Sequence, residues 1–399
     1  MSNPRKDGSR YEAMLVALMF GTWGAVFLDR MAQLYLSPFI VPDLQLSGQQ
    51  IGFLTAVTAV SWGISSFAFG LVSDRFGRRR ILIPMVFLFS LLSCASGLAR
   101  NFGDLLIIRG LMGMAEGPCW SIINVIVEQS SAPERRGRNV GIVVSAAAAV
   151  GLAAAPVLTT QIAALHGWRT AFVAAGLPGI VLGGLIWRFV KEPAKSAAAS
   201  HKASFAEFLS LLKCRNIQLC CLGAAGFVCW LLNVNVFAPL YIVKVAHQAP
   251  TTAGFLLGAA GIGSLVVGFL SMTLSDRIGR RPVLTALAVL LACLPLALLI
   301  SPLYAVLPVL AALLFLTQGG QGISATVMVL VPTESVPPHL AATAIGLVTM
   351  SGEIIGGTIT PAVAGRLADE GGLHIPLLMA SGAMVVVFIV ARLLRENRP

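Results

Sequence analysis

An all-α membrane protein of twelve transmembrane helices, arranged as two six-helix bundles, is the fold the sequence predicts, and three observations predict it. The 399 residues are 57% hydrophobic and only 11% charged, with a mean hydropathy of +0.85, whereas an ordinary soluble domain carries about 25% charged residues. Apolar runs of about 20 residues, the length that crosses a bilayer, recur along the whole chain. A short loop motif occurs twice, at Asp74 and Asp276, and the offset of 276 − 74 = 202 is half the chain. A repeat of that period means an internally duplicated bundle.

The apolar runs place spans at 13–38, 50–73, 81–99, 105–128, 139–163, 170–190, 216–242, 252–274, 283–301, 305–331, 341–364 and 375–393. The polar stretch Met1–Tyr11 precedes a run too long for a signal-peptide core, so the first run stands as a helix. Lys and Arg set the orientation. With the N-terminus in the cytoplasm, the inner loops and tails hold 22 of the 28 basic residues and the other face holds four, Arg100, Arg169, Lys244 and Arg366. Both termini are therefore expected inside. The one long polar segment, 191–215, contains Lys195-Ser-Ala-Ala-Ala-Ser-His-Lys202, a flexible linker composition. It divides the chain into an N-terminal bundle, 1–190, and a C-terminal bundle, 216–399. Phe205–Leu212 within it reads as a short amphipathic surface helix.

The net charge of +11 does not indicate nucleic acid, because the basic residues cluster at span ends and form no stripe. The seven Cys show no CxxC pair and no Cys/His ligand spacing, so neither metal nor disulfide is expected. There is no phosphate loop of the GxxxxGK[ST] type, no HExxH and no dinucleotide fingerprint, so the sequence suggests no enzyme and no cofactor.

The duplicated loop reads Gly70-Leu-Val-Ser-Asp74-Arg75-Phe-Gly77-Arg78-Arg79-Arg80 in the first half and Ser275-Asp276-Arg277-Ile-Gly279-Arg280-Arg281 in the second. Each copy follows the second span of its half. The glycines permit a tight turn. The aspartates can accept hydrogen bonds from the first N–H groups of a neighbouring helix and pair with Arg from the other half, which makes the loop a latch for one conformation. A topology anchor alone would need the Arg but not the Asp or Gly. This loop, with twelve spans and a central linker, resembles the major facilitator superfamily over essentially the whole chain.

The most informative residues lie inside the spans. Asp29 and Arg30 interrupt span one. In span four Arg109 and Glu116 are seven residues apart, on one face and about 10 Å apart along the axis. Gly113 and Gly117 sit at a close-packing spacing, and Pro118 follows. A charge at the bilayer centre costs about 2.5–3.5 kcal/mol on insertion scales, so such groups usually face a cavity or a partner. Two buried ion pairs alone would be a poor way to hold two helices together. The functional reading is that protonating a carboxylate releases its Arg partner, whose planar fork then grips an anion bidentately.

This set is similar to that of the anion:cation symporter branch of the superfamily, which moves sugar acids and other organic anions with protons. The resemblance implies that Arg30 binds the substrate carboxylate, that Asp29 and Glu116 carry protons, and that Arg109 interacts with them. Further candidates come from the residues themselves. Trp230, Asn233, Phe237 and Tyr241 follow one stripe of span seven. Gln318 and Gln321 share a face among the glycines of span ten, Trp62 and Gln33 lie in spans two and one, and Glu353 is an acid within span eleven and a third proton site. The expectation is a monomeric proton-coupled importer of a small organic anion in a bacterial inner membrane, its partners being the anion, protons and the lipid bilayer. The alternatives are an exporter of anionic metabolites or drugs and a transporter-like ligand sensor.

Overall fold

Each expected span is a helix in the computed structural model, which describes residues 4–192, 211–337 and 340–395, without the side chains of residues 4–9, Phe67, Gly70, Leu71, Asp74, Arg75 and Ala342. In chain order the helices are α1 Pro4–Leu44, α2 Gly48–Phe76, α3 Arg78–Ser96, α4 Phe102–Ser130, α5 Pro133–His166 and α6 Trp168–Phe189, then α7 Arg215–Lys244, α8 Pro250–Ile278, α9 Arg280–Leu298, α10 Leu307–Glu334, α11 Thr343–Gly371 and α12 His374–Leu393. Among the described residues eleven helices are long and apolar enough to cross a membrane, and α2, with 29 residues, completes the twelve. Most of the expected amphipathic stretch Phe205–Leu212 lies outside the described residues.

Two compact units form. One comprises Met1–Leu36 and Ser61–Lys195, the other Ser37–Val60 and Ser196–Pro399. The division near residue 195 falls in the linker, but residues 37–60, placed by the sequence in the first bundle, cluster with the second unit. The reason is a glycine seam. A Cβ on Gly52 would lie 2.2 Å from the Pro361 carbonyl oxygen, and one on Gly365 would lie 2.3 Å from that of Gly48. Only glycines allow α2 and α11 to approach so closely.

Within the first unit α3 packs on α4 and α6; within the second, α7 packs on α11 and α12, α9 on α12, and α8 on α10. The repeat is visible in the backbone. Gly77 and Gly279, each at φ 103°, turn the chain between second and third helices of the two halves, and Gly167 and Gly372 (φ 84° and 105°) turn it between fifth and sixth. Helices α5 and α11 each contain a π-helical stretch, Ala147–Ala154 and Gly352–Ile359, the second starting 352 − 147 = 205 positions after the first. Helix α10 is not continuous. Its first part ends at Thr317, a new turn starts at Gly320, and Gln318 and Gly319 are non-helical.

Candidate functional site

In the first unit, α1 and α4 bring their charges together. The site exists because α4 can press against α2: a Cβ on Gly117 would lie 2.4 Å from the Trp62 carbonyl oxygen and 2.2 Å from Ser65 Oγ. Ser65 Oγ seals that contact by donating to the Gly113 carbonyl at 3.2 Å. The paired glycines of span four therefore position Glu116, which lies between them in sequence.

Asp29, Arg109 and Glu116 are buried, at 0%, 1% and 0% exposure. Asp29 Oδ1 accepts a hydrogen bond from Ser93 Oγ of α3, and its Oδ2 lies 4.0 Å from Arg109 Nη1. Arg109 is held on several sides. Its Nη2 donates to Ser96 Oγ at 3.3 Å, its Nη1 meets Met112 Sδ at 3.1 Å, and its guanidinium carbon stands 4.9 Å from the Phe172 ring centroid. Glu116 lies fully buried on α4, seven positions after Arg109. Neither Glu116 oxygen has a donor among the described residues, nor has Asp29 Oδ2.

Arg30 is separated from its neighbour Asp29 by the 100° step of the helix. It is only half-buried, and its guanidinium carbon lies 5.2 Å from the centroid of the Trp62 ring. Gln33 is buried one turn further along α1. Asp29, Arg109 and Glu116 are thus buried together within this unit, and Arg30, next to Asp29 in sequence, lies over Trp62.

Sequence reasoning missed the groups that fix Asp29 and Arg109. Ser90, Ser93 and Ser96 recur every three residues on α3 and are all fully buried. Gly176 and Gly179 of α6 lie against Ser90 and Ser93. Serines at helical spacing in an apolar run were the available signal.

In the second unit the aromatic stripe of α7 divides by role. Trp230 is fully buried, stacks on Phe227 and donates its Nε1–H to the Leu291 carbonyl at 2.9 Å. Its polar end is thus committed to a contact with α9. Asn233 is buried, with Nδ2 3.3 Å from Cys229 Sγ and Oδ1 unpartnered among the described residues. Tyr241 is half-buried. Gln318 and Gln321 do not share a face of a continuous helix, because α10 breaks between them. Gln318 Oε1 caps the break by accepting from Gly320 N at 3.0 Å, and Gln321 packs over Gly268. Glu353 lies in the π-helical stretch of α11 at 9% exposure. A Cβ on Gly357 would lie 2.9 Å from its Oε2 and 3.5 Å from Leu232 of α7.

The side chains of Gly70, Asp74 and Arg75 lie outside the described residues. At Gly77 the first amides of α3 are capped by Glu192: Arg78 N donates to its Oε1 at 2.6 Å and Arg79 N to its Oε2 at 3.1 Å. Arg78 Nη1 reaches Gln129 at 2.5 Å. In the second copy Asp276 pairs with Arg280 at 2.6 Å, and Arg280 bridges to Glu334 at 3.0 Å, all within its own half. Arg277 is exposed. The first amides of α3 are thus capped by Glu192, and Asp276 pairs locally with Arg280, which lies one turn away on the other side of Gly279.

The model of the Major Facilitator Superfamily matches residues 18–356, with a second match over 235–399. A hexuronate transporter of Bacillus subtilis (strain 168) is 36% identical over 42% of this chain, a match spanning only 39% of that protein's length. A cis,cis-muconate transport protein of Acinetobacter baylyi is 27% identical over 94% of this chain and 95% of its own. Among solved structures, a bacterial homologue of the human lysosomal transporter Spinster, in an inward-facing and unoccupied conformation, superposes with a TM-score of 0.76 at 19% identity, covering 96% of this chain and 97% of the other.

Proposed function

The chain belongs to the Major Facilitator Superfamily and is a multi-pass membrane transporter rather than an enzyme, and on that premise we propose that it carries a small organic anion together with protons, by alternating access. The observation that carries this reading is the buried group Asp29–Arg109–Glu116, with half-buried Arg30 over Trp62 at its edge. Intramembrane charges that served packing alone could be replaced by apolar contacts at little cost. Here two acids are buried with oxygens that have no donor among the described residues, an arrangement suited to loading and unloading a proton.

The roles follow from placement. Arg30 takes the substrate carboxylate through its bidentate fork, and Trp62 supports its guanidinium plane. Asp29 and Glu116 carry the proton, and Arg109 balances whichever acid is ionised. Glu353 is a second acidic station in the other half. Gln33, Asn233, Tyr241, Gln318 and Gln321 shape the remainder of substrate recognition. Similarity to proteins named for hexuronate and for cis,cis-muconate supports a carboxylate cargo, a sugar acid or an unsaturated dicarboxylate. The charge bias of the loops supports a cytoplasmic location for both termini; the proposal takes the membrane to be a bacterial inner membrane and the direction to be uptake.

Purified protein in liposomes tests this directly. With the lumen at neutral pH and the outside acidified, hexuronate or muconate should accumulate, and the lumen should acidify in step with uptake. Uptake of neither acid, or uptake indifferent to the imposed gradient, would overturn the reading.

A further inference from the structure

The first turn of a helix leaves four backbone donors without internal partners. At the start of α2 all four are satisfied, by two separate devices. Ser47 and Gln50 form a reciprocal capping box: Gln50 N donates to Ser47 Oγ at 3.1 Å and Ser47 N to Gln50 Oε1 at 3.0 Å. Ile51 N reaches the Ser47 carbonyl at 3.2 Å. That leaves Gly48 N and Gln49 N. Both donate to one carboxylate, Asp369 of α11, at 2.7 and 2.9 Å. The sequence separation exceeds 300 residues, so this cap is tertiary.

The same carboxylate sits at the head of the glycine seam. On α2 the seam residues are Gly48 and Gly52; on α11 they are Pro361, Gly365 and Asp369, every fourth residue in both cases. A Cβ on Gly48 would meet Asp369 Oδ1 at 2.8 Å and the Gly365 carbonyl oxygen at 2.9 Å. The seam therefore admits the carboxylate only because Gly48 has no side chain. The fifth and eleventh helices correspond through their π-helical stretches, 205 positions apart. By that offset Pro361 corresponds to Pro156 and Asp369 to Ala164. The first half thus lacks the carboxylate. Helix α8, which opens the second pair of the other half as α2 does here, begins with Pro250, whose missing N–H needs no cap.

We propose that Asp369 is the releasable fastener of the transport cycle: a carboxylate that holds the start of α2 against α11 in one conformation and leaves it in the other. The inference rests on the alternating-access reading and adds to it a residue outside the buried charge group. Release is cheap for α2, because its own Ser47–Gln50 box stays behind and only two amides pass to water. A negative charge also complements the positive end of the helix macrodipole, so an acid fastens better than an amide. Residues 37–60 cluster with the C-terminal unit because the seam is closed in this structure.

The test uses the full chain with its native cysteines replaced, in liposomes, without substrate or gradient. Thr55, at 6% exposure beneath the seam, is changed to Cys and labelled with a membrane-impermeant maleimide. A second reporter is Glu128→Cys, exposed at the far end of α4. Asp369→Asn should raise the Thr55 rate about fivefold, the factor that loss of an ordinary helix cap gives, and should lower the Glu128 rate. Asp369→Glu should fall between. Gly52→Ala, which blocks closure sterically with the acid intact, should reproduce the same reciprocal change. An unchanged Thr55 rate in Asp369→Asn overturns the proposal, and so does a rise at both reporters, which reports loosened structure and not a shift between states. Because the readout needs no cargo, it stands or falls apart from the identity of the transported anion.

Discussion

Arg109 and Asp29 approach to 4.0 Å in a fully buried setting, with Ser93 and Ser96 of α3 holding one partner each. The ion pair is therefore fixed by the scaffold while Glu116, its immediate neighbour, is not. Glu116 is the acid of this group with neither oxygen held by a donor among the described residues, and on the proton-coupled reading the expected behaviour of variants follows from that difference.

Glu116→Gln keeps the shape and removes the proton site. Exchange of labelled for unlabelled anion across liposomes should persist, while accumulation driven by a proton gradient should disappear. Retained accumulation against a gradient would move the proton to Asp29 or Glu353.

Arg30→Ala should weaken anion binding by about 10- to 100-fold, the range expected on losing a charge-assisted hydrogen bond of 1.5–3 kcal/mol. Equilibrium binding of a radiolabelled acid measures it. Arg30→Lys should recover only part, because an ammonium cannot form the fork.

Ser93→Ala removes the donor to a buried carboxylate and should cost about 1–3 kcal/mol of stability. The midpoint of thermal inactivation in detergent should fall. Anion affinity measured below that midpoint should change much less than in Arg30→Ala.

Trp230→Phe removes one buried N–H and leaves the Leu291 carbonyl unpaired. Stability should drop by about 1–3 kcal/mol with no change in the ranking of competing acids. A change in that ranking would return Trp230 to the substrate.

Glu192→Ala exposes the Arg78 and Arg79 amides at the start of α3. Hydrogen exchange in residues 76–82 should quicken, by a factor matching about 1 kcal/mol of lost capping.

The spans were legible because bilayer thickness sets a minimum apolar length, and the charges within them stood out for the same reason. The glycine pair at Gly113 and Gly117 foretold the close approach of α4, since its only effect is to remove Cβ atoms. The partners of Asp29 were not legible, because serines on α3 gain meaning only once α3 is known to lie beside α1 and α4. The break at Gln318–Gly319 was not legible, because neighbouring glycines are compatible with an intact helix and with an interrupted one. Trp230 sat on the expected stripe, yet periodicity cannot tell which end of an indole meets a carbonyl. Glu192 and Asp369 escaped notice because both cap helices remote in sequence, and a lone acid near a span end looks like any other surface charge.

The widened turns of α5 and α11 occupy the same place in both halves. A π turn packs one more residue into its circuit than the α-helix around it, so each stretch resets the angular phase of its helix. Side chains before and after it follow different stripes, and the apolar periodicity of α5 and α11 cannot be carried through either helix as one line.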